Sequence, residues 1–420
     1  MPIVVIGMLA ILAVAGLALD SSHALANKTR MQNTVDAAAL AAAKVLDQTA
    51  DTTEATVAAF GLFGINASAG GNQELDAAYS SGEITVSVQY STTVNPFTPG
   101  SPDGPFVRVA ATGFDTDTTL SRVLGIDEIA TPASAVAGPS GPLGVGDGAE
   151  LCDVAPIAVC PPEGGYVDNQ LEVLKPGPGN HSAIGPGNYK MLRLGCNGGS
   201  CLRKNLAGDY GGCATLGETV ETEPGISSGP TSQGFNTRFG IYQGGGMNSD
   251  DYPPDRVLTD QSPQNLKACE DDTVDPVVDH VYLQNGNGKN YCKSPDPTDQ
   301  VTMADEIPYS YDSSYASDSE GEAGQFAPGS AKNRRLLIFP IVNCTGDESG
   351  QSTLTVEGFA CFFMLQALET GQSDGGGKII GEYVDRCEAN GTSGSNPGGG
   401  PAGPLLYKIQ LYKDSASVDS

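Results

Sequence analysis

Residues 16–46 read GLALDSSHALANKTRMQNTVDAAALAAAKVL. The stretch has no Pro, and no Gly after its first residue. It joins an uncharged segment, Pro2–Leu19 (PIVVIGMLAILAVAGLAL), to an alanine-rich one. Met31, Val35, Ala38, Ala42 and Leu46 fall at steps of four, three, four and four, the spacing of one helix face. Ala is the best helix former, and the run from Asp36 to Lys44 contains no breaker. The pattern predicts one helix from about residue 3 to 48, roughly 70 Å long at 1.5 Å per residue. Its front half would anchor through Ile3, Ile6, Leu9, Leu12 and Gly16. Its rear half would pack through Met31, Val35, Ala38 and Ala42, small side chains of the kind that let helices approach closely in membranes and fibres. Eighteen uncharged residues is the lower end for a membrane span. Asp20 and Asp36 are costly in lipid unless paired or wet. A rival reading makes the front a cleavable leader ending at Ala24-Leu25-Ala26, with a mature chain starting at Asn27, although no basic residue precedes Pro2.

The 420 residues exceed one ordinary domain. Gly (55) and Pro (28) make almost a fifth of the chain, which points to folded domains with long turn-rich loops. Fifty acidic against 22 basic residues give a net charge of −28, a field that repels nucleic acid and keeps an exported protein soluble. All ten cysteines lie between Cys152 and Cys387. An even number confined to a polar, Gly-rich region reads as disulfides formed in an oxidising compartment. Cys152, Cys160, Cys196, Cys201, Cys213, Cys269, Cys292, Cys344 and Cys387 are the candidates. Local closure favours Cys152 with Cys160, Cys269 with Cys292 and Cys344 with Cys387. Cys361, in the apolar run FACFF, reads equally as a buried free thiol.

The fold class expected is α+β: a long N-terminal hydrophobic helix (1–48), a small pilin-like α+β head (49–138), a linker (139–150) and a mostly β, disulfide-braced distal domain (151–420). In the head, strands are expected at Glu83–Tyr90, Phe106–Thr112 and Glu128–Ala137, the last edge-placed or kinked at Pro132, with a short helix at Thr118–Gly125. In the distal part, strands are expected at Val154–Val159, Tyr189–Leu194, Arg335–Val342, Thr353–Phe363, Lys378–Tyr383 and Leu405–Tyr412, forming a sandwich or irregular barrel. A loop-rich acidic insertion spans about 243–332.

Gly16–Asp20, Gln32, Asn33 and Asp36–Ala41 resemble the N-terminal signature of the TadE/TadG-like Flp (tight adherence) pilus-assembly family. In that signature an apolar helix ends in Gly-Leu-Ala-x-Asp, followed by Gln-Asn-x-x-Asp-Ala-Ala-Ala-Leu-Ala. The family usually carries basic residues ahead of the helix; this sequence does not. FVRVAAT, TTLSRVLGIDEIATPASAVAG and, further on, Ala155–Ala158, Gly185–Leu192, Thr222–Gly225, Leu336–Val342 and Val356–Ala360 also resemble TadG-like proteins in order. The resemblance implies a TadG-like minor pilin or pseudopilin, held in the inner membrane or incorporated in an extracellular pilus through its helix. Its extracytoplasmic β domain would serve attachment or assembly. The implied partners are other pilins or pseudopilins of the system, the inner membrane before assembly and a surface ligand, with no nucleic acid. The alternatives are a secreted ligand-binding protein and the main subunit of its own filament.

No catalytic motif is present: no G-x-S-x-G, H-E-x-x-H, G-x-x-x-x-G-K-[ST] or C-x-x-C. The three histidines are widely separated, and no enzyme activity and no cofactor are expected. Calcium has one weak set of candidate oxygen ligands, Asp312, Asp318, Glu320 and Glu322, without EF-hand spacing, so a solvated acidic loop is the preferred reading. Asp20-Ser-Ser-His-Ala also departs from the D-x-S-x-S adhesion-site pattern.

Overall fold

The computed structural model describes residues 2–101, 104–161, 165–169, 171–175, 190–225, 228–256, 266–271, 278–283, 311, 333–344, 350–368, 379–392 and 405–414. Within the first helix the side chains are described from Val14 onward. The chain forms two compact units, Met1–Ser140 with Ile409–Ser420, and Gly141–Lys408.

In the first unit, α1 runs from Pro2 to Thr49 as one helix. Ala50 takes a left-handed conformation (φ 53°), and Asp51 then caps α2 (Thr52–Ala67) by accepting from the Thr53 amide at 2.6 Å. That tight reversal folds α2 back onto α1. A short α3 (Gln73–Ser81) follows, stopped by Gly82. The sheet begins with β1 (Thr85–Ser91) and β2 (Phe106–Thr112), paired antiparallel. The expected helix at 118–125 is only a 3₁₀ turn, Ser121–Leu124, held between β3 (Asp115–Asp117) and β4 (Glu128–Ala130). Pro132, which cannot donate to a ladder, separates β4 from β5 (Ala133–Pro139), so the strand expected at 128–137 is two strands. The core joins Met31, Val35, Ala38, Ala42 and Leu46 of α1 to Ala55, Ala59 and Phe63 of α2 and to Val107, Val109, Ala133, Ala135 and Ala137 of the sheet.

In the second unit, β6 (Glu150–Cys152), β7 (Leu171–Lys175), β8 (Leu192–Arg193), α4 (Gly198–Ala207), β9 (Cys213–Thr215), β10 (Thr219–Thr222) and α5 (Ser228–Phe235) come first. The hairpin β11 (Leu266–Asp271) with β12 (Val278–Leu283) follows, then β13 (Leu336–Val342), the twelve-residue β14 (Thr353–Met364) and β15 (Ile379–Tyr383). β16 (Arg386–Glu388), β17 (Asn390–Gly391) and β18 (Leu405–Tyr407) end it. The main sheet has the order β7-β15-β14-β10-β8, with β13 also paired to β14.

Apolar residues run without alternation through LLIFPIV and FACFFM, as strands covered on both faces require. Leu337, Phe339, Ile341, Phe362 and Met364 pack with Leu202, Leu206 and Phe235 of α4 and α5. Ile338, Val342, Cys361 and Phe363 face a second core containing Leu143, Leu151 and Leu406. The main sheet thus has a helical layer on one face and, on the other, a core shared with the short strands β6, β9, β16 and β18. Val154–Val159 is not a strand; it makes isolated bridges from Ile157 to Met191 and from Val159 to Ile341.

Three of the described disulfides follow strand pairing and bridging rather than nearness in sequence. Register puts Cys152 opposite Cys213 on β9, and those two are bonded, not Cys152 with Cys160. The Val159–Ile341 bridge carries Cys160 to Cys344. The Val384 amide donates to the Cys361 carbonyl at 3.0 Å, beside the Cys361–Cys387 bond. Cys344 is thus not joined to Cys387, and Cys361 is no free thiol. Cys196–Cys201 is the fourth bond. The pairing of Cys269 with Cys292 lies outside the described residues, as does most of 243–332.

The chain returns to the first unit at its end. β19 (Ile409–Tyr412) pairs antiparallel with β5, giving the sheet order β1-β2-β5-β19. Residues 409–420 thus belong with the head rather than with the distal domain, and the strand expected at 405–412 is split between the two units. Beyond β19, the fully buried Asp414 pairs with Arg108 at 2.7 Å and accepts from the Ser134 hydroxyl at 2.6 Å. Breaking one side of a buried pair strands the other charge. We therefore expect Asp414→Ala to cost the head about 3 kcal/mol, seen as lost amide-exchange protection in β5 with β14 unchanged. A non-reducing peptide map should show Cys152–Cys213, Cys160–Cys344 and Cys361–Cys387; any pairing of sequence neighbours Cys152 and Cys160 would contradict the sheet register given above.

Candidate functional site: the docked face of the N-terminal helix

Nine buried residues of α1 form one stripe, Gly16, Asp20, Ala24, Asn27, Met31, Val35, Ala38, Ala42 and Leu46, and Thr34, Ala39 and Ala43 widen its rear half. The steps are four, four and three, repeated, so each position recurs after eleven residues. Gly16, Asn27 and Ala38 share one row, Asp20, Met31 and Ala42 the next, and Ala24, Val35 and Leu46 the third. Eleven residues at 100° each overshoot three turns by only about 20°, so a nearly straight helix keeps this stripe on one side.

The rear of the stripe is apolar and fills the head's core. The front carries polar residues, and each is satisfied. Gly16 lies against Leu120; a Cβ built there would stand 2.4 Å from the Leu120 Cβ, so no larger residue fits without moving that turn. Asp20, 6% exposed, accepts from three successive amides, Thr119 and Leu120 at 3.0 Å and Ser121 at 2.7 Å. The 3₁₀ turn has no side-chain cap of its own at Leu120. Asp20 supplies it from far away in the sequence, in a nest of backbone N–H groups. The Thr119 amide, then that of Ser121, lowers the carboxyl pKa to about 2, against the opposing effect of burial.

Asn27 is fully buried. Its amide donates to Glu74 at 2.6 Å and to the Thr116 hydroxyl at 3.2 Å, and its carbonyl accepts from Arg30 at 2.8 Å. Glu74, in the first turn of α3, also meets His23 at 2.9 Å, an exposed pair of little energetic weight. Further back, the Gln32 amide bridges Asp36 at 2.7 Å and the Ser134 carbonyl at 3.0 Å. Burial raises the pKa of the half-buried Asp36, and the Gln32 hydrogen bond opposes that rise. Three signature residues, Asp20, Gln32 and Asp36, therefore serve the join between helix and head.

The face of α1 away from the stripe is bare at its front. Val14, Leu17, Leu19 and Leu25 are exposed, Val14 at 71%. Ile3, Ile6, Leu9 and Leu12 are in the helix, but their side chains lie outside the described residues. Among the described residues no helix is long and apolar enough to cross a membrane. Nor do the described residues include a group of three or more His, Cys, Asp or Glu side chains arranged to hold a metal. Asp312, Asp318, Glu320 and Glu322 lie outside them.

Residues 1–45 match the family model for putative Flp pilus-assembly TadE/G-like proteins. The TadE/G-like segment thus ends one residue short of Leu46, the last residue of the buried stripe, and covers α1 rather than the head or the second unit. The further stretches that resemble TadG-like proteins lie beyond the matched span. No curated protein and no solved structure matches the chain.

Ala24 and Asn27 were read from the sequence only as markers of a cleavage site, not as members of the buried face, and Glu74 and Thr116 were not singled out at all. The signal for the first two was present, because counting back from Met31 by four, three, four and four reaches Asn27, Ala24, Asp20 and Gly16. Glu74 and Thr116 carry no sequence signal, since only the fold brings them to Asn27.

Because the folded-state pKa of Asp20 is lowered, its contribution to docking is complete above the unfolded carboxylate range near 3.9. It is lost as pH falls toward about 2. Asp20→Asn should therefore lose amide-exchange protection at Thr119–Ser121 at pH 6, and the difference from the unaltered chain should shrink as pH falls through about 2.

Proposed function

We propose that this protein is a TadG-like component of a tight-adherence (Flp) pilus. The TadE/G-like segment of α1 would act as its anchor in the inner membrane and then among the helices of neighbouring pilins or pseudopilins. The observation that carries this reading is the matched segment on a helix with two unlike sides. The Gly16–Leu46 stripe is used up by the protein's own head, whereas Val14, Leu17, Leu19 and Leu25 stand free for lipid or another helix. The second unit, braced by disulfides of the kind formed outside the cytoplasm, would be the extracytoplasmic part available for surface attachment or assembly. The role is structural, with no catalytic step and no cofactor.

Removal of a leader after Ala26 is the competing route. It would take away Gly16, Asp20 and Ala24, uncap the Thr119–Ser121 turn and remove the helix surface against which Leu120 rests. The buried stripe favours retention.

Intact-mass and N-terminal peptide analysis of protein from membranes and from sheared surface material tests the reading. We expect peptides from residues 3–26 in both fractions. A chain starting at Asn27 would refute the anchor and leave a secreted binding protein. Filaments composed of this chain alone would make it a main subunit instead of a minor one.

A further inference from the structure

We propose that the Cys196–Cys201 disulfide is a thiol-exchange site, taking a small or protein-borne thiolate at Cys196; this is independent of the pilus reading. Three observations converge on this bond. Its loop is far shorter than the others: the sequence separation is 5, against 26, 61 and 184 for the other three described bonds. Disulfide stabilisation grows with the loop closed, so this bond contributes least to holding the unit together. Its Cys196 is exposed, whereas both Cys361 and Cys387 are buried and both Cys160 and Cys344 are half-buried. Cys213 is also exposed, but it ties two paired strands across 61 residues.

The two sulfurs are unlike. Cys201 is the fourth residue of α4, and helical side chains lean toward the N-terminus, so its sulfur lies over the first turn, where the helix dipole favours negative charge. The Asn205 amide approaches it at 3.6 Å, and Arg203 and Lys204 follow in the same helix. A carboxylate at the helix start, Glu223, accepts from the Gly198 amide at 3.1 Å and is matched by Arg193 at 2.7 Å. Cys201 is therefore the better leaving thiolate, and leaving-group acidity speeds exchange. The incoming thiolate bonds to Cys196 Sγ as the Cys196–Cys201 bond breaks, and the electron pair departs on Cys201 Sγ. The products are a mixed disulfide and one thiolate, with no net oxidation.

The test exposes the folded full chain to graded glutathione, traps free thiols with iodoacetamide and maps the peptides. The expected result is a glutathione adduct on Cys196 and a carbamidomethyl group on Cys201, while Cys152–Cys213, Cys160–Cys344 and Cys361–Cys387 remain intact. Opening of Cys152–Cys213 first, or the adduct on Cys201, would overturn the proposal. The double variant Cys196→Ser/Cys201→Ser supplies the second arm. Unchanged exchange protection in β14 supports a bond dispensable to the fold, and its loss in β14 would mark the bond as structural and sink the idea.

Discussion

A helix of roughly 70 Å that turns one face to its own protein needs a sequence period close to its geometric one, or the buried face winds away. The eleven-residue repeat from Gly16 to Leu46 meets that need. A strict heptad drifts in the opposite sense and favours supercoiling with a partner. Alanine at 38, 39, 42 and 43 sets the second condition, because small side chains bring the helix axis close to both α2 and the sheet. The head then assembles around the helix. Without Met31, Val35 and Ala38, the inward residues of β2 and β5 would lose the surface that covers them.

The polar members of the stripe do a different job from the apolar ones. Alanine against alanine tolerates a slip along the helix; a carboxylate in three amides does not. Asp20 fixes the axial register of α1 on the Thr119–Ser121 turn, and Asn27, bonded on both its oxygen and its nitrogen, repeats the constraint two turns later. Register in turn decides where the helix stops being protein-covered. Among the side chains described, the covered stripe begins at Gly16, just behind the exposed Val14.

The local pattern made much of this legible. The long helix, the β1 and β2 strands and the apolar strands β13 and β14 were readable because each has a clear period or an unbroken apolar run. Helices α2 and α3 were not, since TTEATVAAFGLFGINA spreads small and apolar residues around its circumference and its glycines read as breakers. Two of the three suggested disulfides, Cys152 with Cys160 and Cys344 with Cys387, were misassigned for a related reason. Proximity in sequence was used where proximity across a sheet decides, as Cys160 with Cys344 makes plain. The front of the buried stripe was hidden by its chemistry, because a search for apolar periodicity passes over an aspartate and an asparagine. Their burial becomes sensible only when the amides and carboxylate that satisfy them, distant in sequence, are brought alongside.

The return of the chain to β5 has a consequence in time. A polypeptide emerges from its N-terminus, so α1, α2 and three strands of the head's sheet are made before Gly141–Lys408, and the fourth strand only afterwards. At ordinary synthesis rates the gap is roughly ten seconds to a minute. Throughout it β5 presents a bare edge, the kind of surface that recruits unrelated strands, and Arg108 waits for Asp414. The second unit is free to fold meanwhile, so the part of the protein begun first is the part finished last. A chain interrupted before Ile409 would leave the head's sheet open-edged, and closure by β19 reports that synthesis has passed the second unit.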